Sequence, residues 1–209
     1  MPEPSRQQLR RQQTVEHIIR HAVDVMARDG VAALSLSEVA RRMGIRSPSL
    51  YKYFPSKLSV YDELFRSGSA QLLSTFRDAA AAAEPGLAAL AAGFEATGRF
   101  MMDNPVLAQL LQWRPVPGFE PSAEAFAPNQ EFLGEVRRVV LDAVDRHQLR
   151  AEAASERGLI VLSILISGVL SQQLANDPKS GFDEGRYTSA TGDVLAMFER
   201  TYAADGGPQ

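Results

Sequence analysis

The sequence predicts an all-α protein: a three-helix N-terminal helix-turn-helix domain, joined by a long helix to a larger helical domain. Three observations lead there. Apolar residues recur at helical spacing through nearly the whole chain. No segment shows convincing strand alternation or an internal repeat. Gly and Pro interrupt the periodic stretches where helices would stop and restart.

Taken in order, Val15, Ile18, Ile19, Ala22, Val23 and Met26 put one apolar face on a first helix, which Asp29-Gly30 ends because Gly tolerates the left-handed backbone of a C-cap. Ser35-Leu36-Ser37-Glu38 reads as a capping box opening a second, short helix that runs to Met43-Gly44. A third begins near Ser47-Pro48, since Pro suits the first helical position, and reaches about Phe54. Pro55-Ser56 recaps the chain for a long fourth helix through Leu58, Tyr61, Leu64, Phe65, Leu72 and Phe76. Glu84-Pro85-Gly86 marks the domain boundary. The expected domains are therefore 10–66, with the linking helix continuing to about 83, and 87–203. Five helical stretches follow, at about 87–102, 105–113, 128–147, 152–175 and 183–202, with Arg114 to Ala125 read as a proline-rich loop.

Composition bounds the function. The chain has 209 residues, 45% of them hydrophobic, enough for a buried core, and no cysteine, which excludes disulfides and thiolate chemistry. Residues 2–13 are polar, so no secretory signal is visible, and the longest strongly apolar run, Gly158 to Leu170, is shorter than the roughly 20 residues a bilayer requires. A cytoplasmic protein without a membrane partner is expected. Residues 1–66 carry eleven Lys/Arg against seven Asp/Glu, whereas residues 67–209 carry eleven against eighteen. A basic N-terminal third on an acidic body points to a localised polyanion site.

The informative unit is the pair of short helices around Met43-Gly44-Ile45. Gly44 supplies the tight turn, and Val39, Ala40, Ile45 and Leu50 pack the helices together. Arg46, Ser47, Ser49, Tyr51, Lys52 and Tyr53 are left around the exposed face of the second short helix. Such a helix enters a major groove, where Arg grips guanine, Ser meets several bases, and Tyr or Pro touches a thymine methyl; Lys52, Tyr53 and Lys57 suit phosphates. The stretch from Ser35 to Lys57, with Ala40, Gly44-Ile45, Leu50-Tyr51, Tyr53-Phe54 and Lys57, resembles the TetR family of bacterial regulators over about residues 10–66. The resemblance implies Tyr51 on a recognition helix, Tyr53 and Lys57 at phosphate, and base contacts from Ser37 and the Arg46, Ser47, Pro48, Ser49 segment. Arg46 departs from the small hydroxyl residue common at its position, which leaves Ser47 to take the cap, and Lys52 occupies a variable position.

Other chemistry is discounted. His17 and His21 lie one turn apart, but on the polar stripe of their helix and with no third ligand, so no metal is expected. His147, near a helix end, is read as a favourable partial charge there. No base, nucleophile or phosphate loop can be assembled, so neither an enzyme nor a cofactor is expected. A helical protein-interaction module would account for the helices but not for the Arg46–Lys57 pattern.

In the second domain, Phe94, Met101, Leu110, Trp113 and Phe132 are large apolar residues suited to a small-molecule pocket, among Phe100, Leu107, Leu111 and Phe126; Arg99, Gln112 and Arg114 could supply its polar groups. The helix with Leu162, Leu165, Ile166 and Val169 is apolar nearly all round and must be buried; with Leu195 and Phe198 of the last helix it is the expected dimer surface. The family's pattern would pair these two helices across a two-fold axis. The chain is thus expected to bind a palindromic double-stranded DNA operator as a homodimer. Repressor behaviour released by an unidentified, largely apolar effector is the favoured form, with activator or corepressor-dependent behaviour as the alternative.

Overall fold

Capping side chains set most helix ends. The computed structural model describes residues 5–204, so the leading part of the polar N-terminal segment lies outside the described residues. Helix α1 (Arg6–Asp29) starts three turns before its apolar face: the Ser5 hydroxyl accepts from Gln8 N, and the Gln8 amide oxygen accepts from Ser5 N at 2.7 Å. Gly30, at φ 96°, ends it. Helix α2 (Leu36–Arg42) has half the predicted capping box. Ser35 Oγ accepts from Glu38 N, but the Glu38 carboxylate turns to Arg41 at 2.7 Å and Arg42 at 3.0 Å instead of reaching back. Helix α3 (Ser47–Tyr51) stops three residues before Phe54, because the Leu50 carbonyl accepts from both Tyr53 N and Phe54 N in a closing turn. Its cap position is Arg46, with no side-chain cap, so Ser47 does not take that role. Ser56 then caps α4 (Lys57–Ala82).

Helices α5 (Leu87–Asp103) and α6 (Pro105–Trp113) follow the expected bounds. Helix α7 (Ala123–Asp145) begins five residues before the expected start at Pro128, which lies inside it. Ser122 caps Ala125 N, while its own N–H and hydroxyl donate to the Asp62 carboxylate of α4, both at 2.7 Å. That anchored cap sets the start despite the backbone bond Pro128 cannot make. Helix α8 (Glu156–Asn176) extends the apolar run through polar ends and is, by length and composition, long enough to cross a bilayer. In this fold one face of it carries Leu162, Ile166, Leu170 and Leu174 into the core. The last helix, α9 (Thr191–Thr201), starts eight residues later than the pattern suggested. The wholly buried Gln173 holds the intervening loop, accepting from Tyr187 N at 2.9 Å and donating to Asp177 O at 2.5 Å.

Two apolar clusters meet along α4. One gathers Ile18, Ala22 and Met26 of α1, Val39 and Leu50 of the helix-turn-helix, and Tyr61, Leu64 and Phe65 of α4; it is completed by Leu107 and Leu110 of α6 and by Val116 and Phe119 of the following loop. Tyr61 donates to Val31 O at 2.6 Å, satisfying a phenol that burial alone would penalise. The other cluster joins the rest of α4 to α5, α7, α8 and α9 around Phe76, whose ring meets those of Phe94 and Phe132 edge-on at 5.5 Å.

Gly93 makes room for that ring: a Cβ there would sit 2.5 Å from it, and Phe76 has no exposed surface into which to shift. Gly93→Ala is expected to destabilise by about 1–3 kcal/mol through overpacking, lowering the thermal midpoint by roughly 2–4 °C per kcal/mol in a chain of this size. Phe76→Leu should recover part of that loss, which scanning calorimetry of the single and double variants would read.

Glu38 also meets Arg28 of α1 at 3.6 Å, and hydrogen bonds from Arg41 and Arg42 hold its carboxyl down at about 2, against an ordinary 4.5. The stabilisation is present above the ordinary carboxylate range and is lost as pH falls towards the depressed value. Glu38→Gln should therefore be less stable than the wild type at neutral pH, with the gap closing between pH 4.5 and about 2 in parallel thermal melts.

Candidate functional site

Alternation between packing and exposure builds the first site. Val39, Ala40 and Leu50 are buried, and the turn between α2 and α3 closes through Ile45 N donating to Ala40 O at 3.0 Å, with Gly44 at φ 66°. This leaves Arg46, Pro48, Ser49, Tyr51 and Lys52 exposed along and beside α3, with Ser47 half-buried at its start. Ser37 is exposed on the first turn of α2, and Lys57 is exposed at the first position of α4. Tyr53 is half-buried, with the Arg11 guanidinium 5.5 Å over its ring.

Charge is distributed unevenly over this surface. Arg28, Arg41 and Arg42 converge on Glu38. Among the described residues, no ion pair engages Arg46, Lys52 or Lys57, so those cations face outward uncompensated. Sequence reasoning missed an extension of the same surface. Arg6, Arg10 and Arg11 lie on the exposed first turns of α1, and the stack of Arg11 on Tyr53 sets that segment beside α3. The available signal was the Ser5–Gln8 capping pair, which starts the helix well before its apolar stripe.

A second site is a cavity of about 500 Å³ between α5, α6, α7 and α8, bordered also by Leu72 of α4. Phe94, Met101, Phe132 and Arg114 line it, as do Thr97, Gln112, Asn129, Leu162, Ile166 and Leu170. Two expected pocket residues are elsewhere. Leu110 is wholly buried in the N-terminal cluster, on the other side of α6. Trp113 is 42% exposed, and its indole N–H donates to Ser171 Oγ at 3.3 Å, tying the end of α6 to α8 outside the cavity wall. Arg99 is also removed from it, held by Glu95 and Asp183 and lying over Phe182.

The expected dimer surface needs correcting residue by residue. Leu162 and Phe198 are 1% exposed and Ile166 is buried, all within the protomer's own core, so they have no area left for a partner. Leu165, Val169 and Leu195 are half-buried. The apolar side chains presented outward by α8 and α9 are Ile160, Ile164 (62% exposed) and Met197. Helical periodicity could not tell which side of an all-round apolar helix the protomer would cover.

Comparison with known proteins bears on both sites. Residues 18–64 match the family model of bacterial regulatory proteins, tetR family. Among solved structures, the chain is similar to the regulatory protein SCO4313, at 26% identity and TM-score 0.72, covering 94% of this chain and 98% of that one. It is also similar to PfmR, a TetR-family transcriptional regulator from Thermus thermophilus, at 19% identity and TM-score 0.68, covering 88% and 97%. A third is the transcriptional regulator FadR from Bacillus subtilis, solved with stearoyl-CoA, at 16% identity and TM-score 0.68, covering 88% and 96%. The N-terminal module is thus a TetR-type helix-turn-helix, and the helical body has the architecture of TetR-family regulators.

Proposed function

From a chain with the fold of the TetR-family transcriptional regulators, we propose a cytoplasmic, homodimeric repressor that binds a palindromic operator and is released by a largely apolar effector. The observation that carries the DNA-binding half is the exposed row of Arg46, Ser49, Tyr51 and Lys52 along and beside a tightly braced α3, with Lys57 at the start of α4. Arg46 and Ser49 have the chemistry to read base edges, whereas Lys57, Tyr53 and Lys52 suit phosphates that fix register. The cavity supports the effector half: it is mostly apolar with a few polar groups, and it shares α6 with the N-terminal cluster. Phe100 and Leu111 pack against both clusters, so a change in cavity shape has a direct path to the helix-turn-helix. An effector releases DNA only by binding the DNA-incompatible conformation more tightly. The outward face of α8 around Ile164 supports pairing of two protomers there.

Two measurements test this reading. Operator selection from random DNA should enrich a pseudo-palindrome, and titration across salt should give the steep slope of counterion release. On that operator, Lys57→Ala should weaken specific and random DNA alike and flatten the salt slope by about one unit. Arg46→Ala should lose about 1–3 kcal/mol of discrimination at particular base pairs. If the two variants behave alike across single-base operator changes, the division of roles fails.

For the dimer, Ile164→Glu alters a side chain that the protomer leaves exposed, so the monomer should stay folded by circular dichroism. Sedimentation should show a monomer with lost operator binding, because burying an unpaired carboxylate at an interface costs several kcal/mol. A dimer of unchanged stability would move the interface off this face of α8.

A further inference from the structure

We propose that Arg114 is the head-group receptor of the cavity, that the effector is a single-chain amphiphile with an anionic head, and that the same side chain passes its arrival to the DNA-binding module. The proposal rests on the effector reading above and adds ligand class and switching contact.

Shape supplies the first argument. The lining residues of α8 run from Glu156 to Leu170, which at 1.5 Å per residue is roughly 20 Å of helix. The walls along that length are Phe132, Phe94, Met101, Leu162 and Ile166, so the space suits an extended apolar chain rather than a compact polar molecule. The two ends differ in charge. Glu156 lies at the start of α8, whereas the Trp113–Ser171 bond sets the end of α6, and with it Arg114, beside the far part of α8. An anionic head is drawn to the Arg114 end and repelled from the other.

Arg114 itself is the second argument. Arg114 is the one cationic side chain among the residues that line the cavity. Among the described residues no carboxylate pairs with it; its guanidinium faces the rings of Phe65 and Phe126 at 5.5 and 5.6 Å. A guanidinium with its hydrogen-bonding fork unused, at the mouth of an apolar cavity, is built for bidentate capture of a carboxylate or phosphate. Gln112 lines the same cavity two residues earlier, and Asn129 stands one turn beyond Phe126 on α7, so amide donors flank the position. The backbone adds weight. Arg114 sits at the C-cap of α6 at φ 45°, in the left-handed region where glycine or asparagine is ordinary, so the chain keeps a long cation against local conformational preference.

The third argument is what Arg114 covers. Phe65 belongs to the N-terminal cluster on α4, stacks on Phe126 of α7 at 6.1 Å, and meets Phe119 at 6.4 Å. Arg114 spans the Phe65–Phe126 pair. An anion held at the edge of the guanidinium pulls on the same side chain whose face lies over those rings, so head-group binding and the bracing of the α4–α7 junction are linked through Arg114.

The test uses full-length protein, titration calorimetry for binding and operator release for the response, with dodecanoate, dodecyl phosphate and dodecanol below their micellar concentrations. Both anions should bind at least about tenfold tighter than dodecanol, a difference of about 1.4 kcal/mol, and should release operator; which of them is tighter identifies the head. At equal occupancy dodecanol should release operator less. Arg114→Gln should erase the preference for anions while dodecanol still binds. Arg114→Gly, which suits the left-handed backbone, should do the same with the fold retained by circular dichroism. If dodecanol equals the anions on the wild type, or the preference survives both substitutions, the head-group assignment is overturned while the cavity remains an effector site. If none of the three probes gives a binding heat with the wild type, the cavity reading falls and this proposal with it.

Discussion

The N-terminal core cannot be closed by the N-terminal helices. Tyr61, Leu64 and Phe65 of α4 turn into it, but Leu107, Leu110, Val116 and Phe119, which lie beyond the expected boundary at Glu84-Pro85-Gly86, complete it. The long α1 and the two short helices α2 and α3 leave part of this apolar surface uncovered, and α6 with its following loop supplies the remainder. That shared apolar seam governs the other features. It fixes the helix-turn-helix against the body, requires α6 to have one face in each cluster, and carries the Phe65–Phe126 stack on which Arg114 lies. The Asp62–Ser122 hydrogen bonds tie the start of α7 to the same stretch of α4.

Electrostatics refines what packing begins. Eleven Lys/Arg lie in the first 66 residues, yet they do not act as one basic surface. Glu38 gathers Arg28, Arg41 and Arg42 and uses their charge to join α1 to α2, while the cations on and beside α3 stay outward. One carboxylate therefore separates arginines that hold the module together from those available to a polyanion. The stack of Arg11 on Tyr53 aligns the first turns of α1 with the outward set. Charge counting by segment points to a polyanion site in the N-terminal third but overstates the number of outward cations there.

Helix α8 has to satisfy three environments at once, which is why it is apolar nearly all round. Leu162 and Ile166 serve the protomer core and the cavity wall, Ile160 stands partly exposed at the cavity rim, and Ile164 faces outward. Gly158 allows its first turn to pass close to the backbone of the preceding segment: a Cβ there would lie 2.4 Å from the Ala153 carbonyl oxygen. Gln173 then anchors the loop that leads to α9. The late start of α9 follows from that anchoring, since Tyr187 N and Thr188 N are taken by a side chain from another helix.

By itself the sequence determined the helical class, the order of the helices, and the turn at Gly44 that exposes Arg46, Ser49, Tyr51 and Lys52. These depend on local periodicity, capping and turn chemistry, which act between residues a few positions apart. The exceptions are instructive. Pro128 was expected to precede α7, but a cap at Ser122 anchored to Asp62, sixty residues away, set the start instead. Only the tertiary structure decided that Leu110 belongs to the DNA-side core, that Trp113 lies outside the cavity it borders, and that Leu162 and Phe198 are spent inside one protomer. Each of these side chains is apolar and helically spaced, so its local pattern is the same in a core, a pocket or an interface. The difference lies in which distant surface covers it, and covering is a property of the packed chain.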